Sequence, residues 1–263
     1  MRSKVPMIAL ALAVLSGCSV DPAPKELNPL ARWFWVNYDG ATDEQVHEAI
    51  RNLHALVGND YTDPLQLTLD RLQPGDDVAP ELSGKADVVK ARGLFVYNKI
   101  KCPIEKIEKM FISLDQDGLH GGYDKYERHY ESNVDDYLNR KTLNVLYRSI
   151  FTISVLGSEY TAEMPGGTRW IPAEEGASSL GGKAFLTRGY MPKPAAVKKD
   201  SDYVRQNYQT QLFYELEPGV VMHMIADWRE MSLAGFDSEG DILPSTTLST
   251  LLDGDDDYED NCK

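Results

Sequence analysis

The sequence predicts an α+β fold: an antiparallel β-sheet of about six or seven strands packed against helices, preceded by an N-terminal helical segment. Three observations predict it. Apolar residues recur at helical spacing over 46–57. From Arg92 onward, β-forming runs are separated by Gly and Pro pairs, and their links are too short for crossover helices, which implies antiparallel neighbours. A content of 42% hydrophobic and 10% aromatic residues in 263 gives one large domain, or two small ones, enough apolar material for a core, and excludes a disordered chain.

The chain opens on Arg2 and Lys4, continues through an apolar run over 5–14, and reaches Leu15-Ser16-Gly17-Cys18. The apolar run is too short for a membrane-spanning helix, which needs ~20 residues, and has the length of a secretory core. Those residues resemble the signal peptide and lipobox of bacterial lipoproteins. The resemblance implies that residues 1–17 are removed and that Cys18 is acylated. The protein then hangs from a membrane of the bacterial cell envelope. Ser19, where some lipoproteins carry Asp, goes with outer-membrane sorting, facing the periplasm. The membrane is thus a partner through the N-terminal lipid anchor. A net charge of −14 argues against nucleic acid and anionic lipid surfaces as further partners.

Residues 18–31 read as the lipidated Cys and a Pro-rich tether, with Pro22, Pro24 and Pro29 favouring extended backbone. Trp33, Phe34 and Trp35 then start the folded body, or else dip into the membrane interface. Within the helical segment 32–90, Thr42 and Gln45 form a capping-box pattern. Val46, Ala49, Ile50, Leu53, Leu56 and Val57 follow at helical spacing, and Gly58 ends the run. His47 and His54 share this helix and could bind a metal only with a ligand from elsewhere. After Asp63-Pro64, Leu65, Leu67, Leu69 and Leu72 fit either a helix or a strand. Residues 73–91 read as a connection.

The sheet domain is placed at 91–236. A strand over 94–100 is followed by a helix opened by Pro103, with Ile104, Ile107, Phe111 and Leu114 inward and a Glu105–Lys109 pair outward. Further strands are expected over 123–131, 150–164, 184–191, 208–216 and 220–231, the last two as a hairpin. Residues 133–146 fit a helix or a loop. Residues 237–263 form an acidic tail in which only 246–252 has helical character. In the order of its elements, and by no residue motif, this layout resembles the helix-grip arrangement of START-like lipid-binding domains. It departs from them in lacking a long closing helix, a place the 42–57 helix could fill. The resemblance implies a mostly apolar cavity under the sheet for an apolar small molecule or lipid, covered by the helix over 104–114 or that over 42–57.

No catalytic residues, metal ligands or cofactor are assigned. The chain carries no nucleophile elbow, phosphate loop, dinucleotide fingerprint or zinc motif, and Ser179-Leu180-Gly181-Gly182-Lys183 is too short for a phosphate loop. Ser113, Asp115, Asp117, Gly118 and Asp124 have the spacing of a calcium loop but lack its first Asp and its bidentate Glu. Asp253, Asp255, Asp256, Asp257, Glu259 and Asp260 read as a solvated run. Over 220–231 one face carries Met222, Met224, Ala226 and Trp228 and belongs to the core. The other carries His223, Ile225, Asp227 and Arg229, and lines a polar site or meets solvent with an Asp–Arg pair. His223 and Asp227 lie ~13 Å apart along a strand, too far to form a dyad by themselves. Because acylation would consume Cys18, Cys102 and Cys262 remain to form a disulfide in an oxidising compartment. The alternatives are a reduced buried Cys102 or a bridge from Cys262 to another chain.

The expected function is therefore that of a lipid-anchored envelope protein binding an apolar ligand. The alternatives are an envelope scaffold with a filled core and, more remotely, a hydrolase. The anchor is tested directly: Cys18→Ala should move the protein from the membrane pellet to the soluble or unprocessed fraction. A mature variant that still pellets would exclude it.

Overall fold

The computed structural model describes residues 20–58, 63–79, 81–82, 87–176 and 180–263. The lipobox Leu15-Ser16-Gly17-Cys18 and Ser179 lie outside the described residues. Helices α1 (Leu27–Val36) and α2 (Asp43–Val57) come first, followed by strands β1 (Leu65–Leu69) and β2 (Arg92–Ile100). Then come α3 (Ile104–Phe111), α4 (Gln116–Leu119), β3 (Lys125–Tyr130), α5 (Val134–Leu138), β4 (Asn144–Val155), β5 (Ser158–Ile171) and β6 (Ala184–Tyr190). The chain continues through β7 (Ala196–Val197), β8 (Tyr203–Glu217), β9 (Val220–Leu233) and β10 (Phe236–Asp237) and closes on α6 (Ile242–Cys262).

Among the described residues the strands form one ten-stranded sheet, ordered β1-β2-β9-β8-β6-β5-β4-β3, with β10 on β9 and β7 on β5. All of its ladders are antiparallel. The α+β class is as the sequence predicts. The larger strand count has local causes. Leu156 and Gly157 both take positive φ, 52° and 75°, and make a two-residue turn that splits the expected 150–164 strand into the β4–β5 hairpin. Leucine is a poor signal for that conformation. Strand β5 also runs through Pro165-Gly166-Gly167, read from the sequence as a separator. Over 162–165 only β4 flanks it, so Pro165 sits at an edge-like position.

One face of the sheet is dry. Met222, Met224, Ala226 and Trp228 of β9 face it, with Phe95 and Tyr97 of β2 and Leu212 and Tyr214 of β8. Against them pack Leu30, Phe34 and Trp35 of α1 and Val46, Ala49, Ile50 and Leu53 of α2. Each large apolar side chain so buried contributes about 1.5–3 kcal/mol. The capping box of α2 is complete: the Thr42 hydroxyl accepts from the Gln45 N–H at 3.3 Å, and the Gln45 amide oxygen accepts from the Thr42 N–H at 2.9 Å.

Several expectations are corrected here. The tether placed at 18–31 becomes α1 by Leu27, because Leu30 and Ala31 find a core to enter. The aromatic cluster does not reach a membrane interface: Trp33, Phe34 and Trp35 are buried, and the Trp33 and Trp35 indoles donate to Asp21 O at 3.0 Å and Asp76 O at 2.8 Å. Residues 65–69 are a strand, part of the same sheet as the later strands. Leu114 is 57% exposed because α3 ends at Phe111. Glu105 pairs with Lys183 of the sheet rather than with Lys109. The acidic tail is not a solvated run: it is helical from Ile242 to Cys262.

Cys102, just beyond β2, is joined to Cys262 at the end of α6 by a disulfide with a Cα–Cα distance of 5.7 Å and a sequence separation of 160. Cross-linking so distant a pair removes much of the unfolded chain's freedom. Cys262→Ser should therefore lower stability by about 2–5 kcal/mol, read as a lower urea midpoint. Reductant should lower the midpoint of the wild type and leave that of the variant unchanged. Two free, alkylatable thiols in exported wild-type protein would refute the bond.

Candidate functional site

The second face of the sheet carries polar as well as apolar side chains and lines a cavity. Helix α6 spans 21 residues, roughly 30 Å at 1.5 Å per residue, and lies over this face. Leu243, Thr247, Leu251, Gly254 and Tyr258 recur at helical spacing along the stripe it turns inward. Between helix and sheet is a cavity of about 630 Å³. Its floor includes Ile225 and Met231 of β9, Gln209 and Gln211 of β8, Met164 of β5, and Tyr147 and Phe151 of β4. Phe111, Gln116 and His120 bound one end. The cavity lining is more apolar than polar, as expected, with polar groups gathered across its floor. Its cover is α6, not the 104–114 helix, which only flanks it, nor α2, which packs on the opposite face.

A chain of hydrogen bonds crosses the floor, and its polarity is set by its ends. Asp227, wholly buried, accepts from Arg229 at 2.5 and 3.0 Å, from the Asn207 amide at 3.0 and 3.1 Å, and from the Gln209 amide nitrogen at 3.1 Å. A carboxylate takes only donors, so the Gln209 oxygen must point the other way. It accepts from the Gln211 amide nitrogen at 2.9 Å. The Gln211 oxygen then faces His223 Nε2 at 3.0 Å, and His223 Nδ1 meets Asp255 of α6 at 2.6 Å. Oxygen atoms thus face both ring nitrogens of His223. Asp255 also accepts from the Asn98 amide at 3.0 Å. The side chains of His223 and Asp255 are each only 2% exposed. The imidazole stacks on Phe213 at 3.7 Å between ring centroids, and Phe213 stacks on Phe185 at 4.3 Å, a stack spanning three strands.

The remaining sequence candidates fall as follows. His223 and Asp227 share the cavity face, linked only through Gln211 and Gln209. Both ring nitrogens of His223 are engaged, so it has no free position from which to act as a base. The Asp227–Arg229 pair is present, and it faces the cavity rather than solvent. Burial opposes the Arg229 charge, but Asp227 outweighs it and holds the guanidinium above its ordinary value. His47 lies 2.8 Å from Pro172 O, and His54 lies 3.1 Å from the Tyr214 hydroxyl; both knit α2 to the rest of the fold. Asp117 sits in the single turn of α4, which replaces an open calcium loop, and Ser113 Oγ accepts from the Asp115 N–H at 3.1 Å. Among the described residues, no three His, Cys, Asp or Glu side chains converge as metal ligands. In the acidic stretch, Asp257 meets His120 at 3.1 Å, and burial pushes the His120 ring below its ordinary value against that pull.

Sequence reasoning missed Gln209, Gln211, Asp255 and Arg128. Polar Asn207, Gln209 and Gln211 alternate with Tyr208 and Leu212, a period-2 signal available in the sequence. Arg128 shares one strand face with Tyr126 and Tyr130, while Glu127 and His129 take the other.

In the course of its chain the protein is similar to several solved structures. A STAR-related lipid transfer protein from Xanthomonas axonopodis is 8% identical, with a TM-score of 0.43, over 78% of this chain and 96% of that one. A START superfamily protein from Mycobacterium smegmatis is 10% identical, with a TM-score of 0.39, over 65% and 96%. The Zhui aromatase/cyclase from a Streptomyces species is 9% identical, with a TM-score of 0.41, over 65% and 93%. No family model matches the sequence, and no curated protein matches it.

The His223–Asp255 pair is what fixes the middle of α6 over the cavity. Asp255→Ala leaves the buried His223 Nδ1 and the Asn98 amide without their acceptor, which typically costs about 1–3 kcal/mol. The variant should lose stability by that amount in urea titrations, and its α6 should be cleaved faster by added protease. A loss under about 1 kcal/mol with unchanged cleavage would show that the helix is held elsewhere.

Proposed function

We propose that this chain is a lipid-anchored protein of the bacterial cell envelope that holds an apolar small molecule or lipid between its sheet and α6. The observation that carries the reading is the cavity of about 630 Å³, well inside the range of ~300–1,000 Å³ that small-molecule sites occupy. Phe111, Tyr147, Phe151, Met164, Ile225 and Leu251 supply apolar and aromatic contact surface within it, and the hydrogen-bond chain supplies fixed polar groups. That combination suits a ligand with a large apolar part and a small polar one. A scaffold with a filled interior would have no use for such a space. The membrane attachment rests on the lipobox sequence ending at Cys18; among the described residues no helix is long and apolar enough to cross a membrane.

Protein purified from membranes should release an apolar compound into organic extract in near-stoichiometric amount, identified by mass spectrometry. The emptied protein should bind the neutral apolar dye N-phenyl-1-naphthylamine with a blue-shifted emission. Thr250→Trp, on the cavity side of α6 but exposed, should cut dye binding at least fivefold without unfolding the protein. No extracted compound and no dye binding would sink this reading and leave the scaffold role.

A further inference from the structure

Exposed rim carboxylates apart, the cavity's charged groups each meet an acidic or basic side chain, with one exception. Arg229 is held by Asp227, Asp255 by His223, and Asp257 by His120. Asp124 and Asp253 lie exposed at the rim. Arg128 of β3 lines the same cavity, and its partners are all neutral. Its Nε donates to the Tyr126 hydroxyl at 2.9 Å and lies 3.4 Å from Ser149 Oγ, and its Nη1 donates to Phe111 O at 2.6 Å. The Tyr130 hydroxyl interacts with the same group. Among the described residues no carboxylate lies within 4.0 Å of it.

The socket around this guanidinium is built. Tyr126 and Ser149 are tied to each other at 2.6 Å, which fixes both hydroxyls. The Tyr147 ring lies under the guanidinium at 4.2 Å, with Tyr126 at 5.4 Å and Phe111 at 5.8 Å. Tyr147 can lie there because residue 166 is glycine: a Cβ at that position would stand 2.9 Å from the Tyr147 ring. Aromatic faces and hydroxyls offset part of the cost of taking a cation out of water. They do not neutralise it, and a guanidinium presents a fork of donors shaped for a carboxylate or phosphate.

We infer that the ligand is an amphipathic anion: its apolar body fills the cavity and its carboxylate or phosphate head group pairs with Arg128. This rests on the ligand-binding reading above and narrows it from any apolar molecule to one with a single charged head. Neutral sterol-like or hydrocarbon ligands would leave the guanidinium uncompensated.

The test uses full-length, delipidated protein carrying N-phenyl-1-naphthylamine, displaced at pH 8 by three competitors of one chain length: dodecanoate, dodecyl phosphate and dodecanol. At least one of the anions should displace the dye at a concentration at least tenfold below that of dodecanol, and whichever has the larger advantage names the head group. Arg128→Gln should erase that advantage while leaving dodecanol unchanged, and Arg128→Lys should retain part of it. Dodecanol matching both anions on the wild type overturns the inference while the cavity reading stands, and this comparison needs no variant. An advantage that survives in a folded Arg128→Gln protein overturns the role of Arg128. Failure of the dye itself to bind strikes at the cavity reading instead.

Discussion

The contact between His223 and Asp255 is the one on which the cavity depends. Helix α6 is a poor helix by its own chemistry. It contains Gly254 and five aspartates, and like charges stand four apart at Asp253 and Asp257, Asp255 and Glu259, and Asp256 and Asp260. The strain is visible at Asp256, whose carboxyl is raised by partial burial and then by Asp255, Glu259, Asp253 and Asp260. Such a segment becomes helical only where outside partners take up its charges. Asp255 finds His223 and Asn98, Asp257 finds His120, Glu259 accepts the Lys101 N–H at 2.9 Å, and the chain ends in the disulfide. The acidity that marks the segment as solvated in the sequence is what attaches it to the sheet.

This accounts for what was legible in the sequence. Helix α2 could be read because its signals are local: a capping box, a 3.6-residue period and a terminal glycine. The core face of β9 could be read because Met222, Met224, Ala226 and Trp228 alternate with a face that carries His223, Asp227 and Arg229. Helix α6 could not, because its stability is tertiary and its sequence argues the other way. Nor could the β4–β5 hairpin, where Leu156 takes a backbone conformation that leucine seldom adopts and neighbouring strands enforce it. The Cys102–Cys262 pairing followed from counting thiols, whereas the layer it fastens did not. Arg128 is harder still: its meaning lies in the absence of a carboxylate nearby, a fact of three dimensions that no spacing encodes.

The two faces of the sheet show how one set of strands serves two ends. The side toward α1 and α2 is apolar and closely packed, and contributes stability. The side toward α6 carries Asn207, Gln209, Gln211, His223 and Asp227, whose polar atoms are joined into one directed chain. A buried polar network is tolerable only when its members are satisfied. Here Asp227 satisfies three donors at once, from Arg229, Asn207 and Gln209, so its single charge orients the amides all the way to α6. The polar groups of the cavity floor are thereby held by one another.

The way α6 is fastened also bears on traffic. Its second half is secured twice, by the hydrogen bond between Asp255 and His223 and covalently at Cys262. Its first half has neither. There Thr246 and Thr250 turn their hydroxyls back onto the carbonyls of Ile242 and Thr246 at 2.9 and 3.0 Å, a habit that slightly weakens and bends helices. A guest of the kind proposed could pass without breaking either fastening only beneath the threonine-rich turns, at the cost of lifting Leu243 and Thr247 from the sheet.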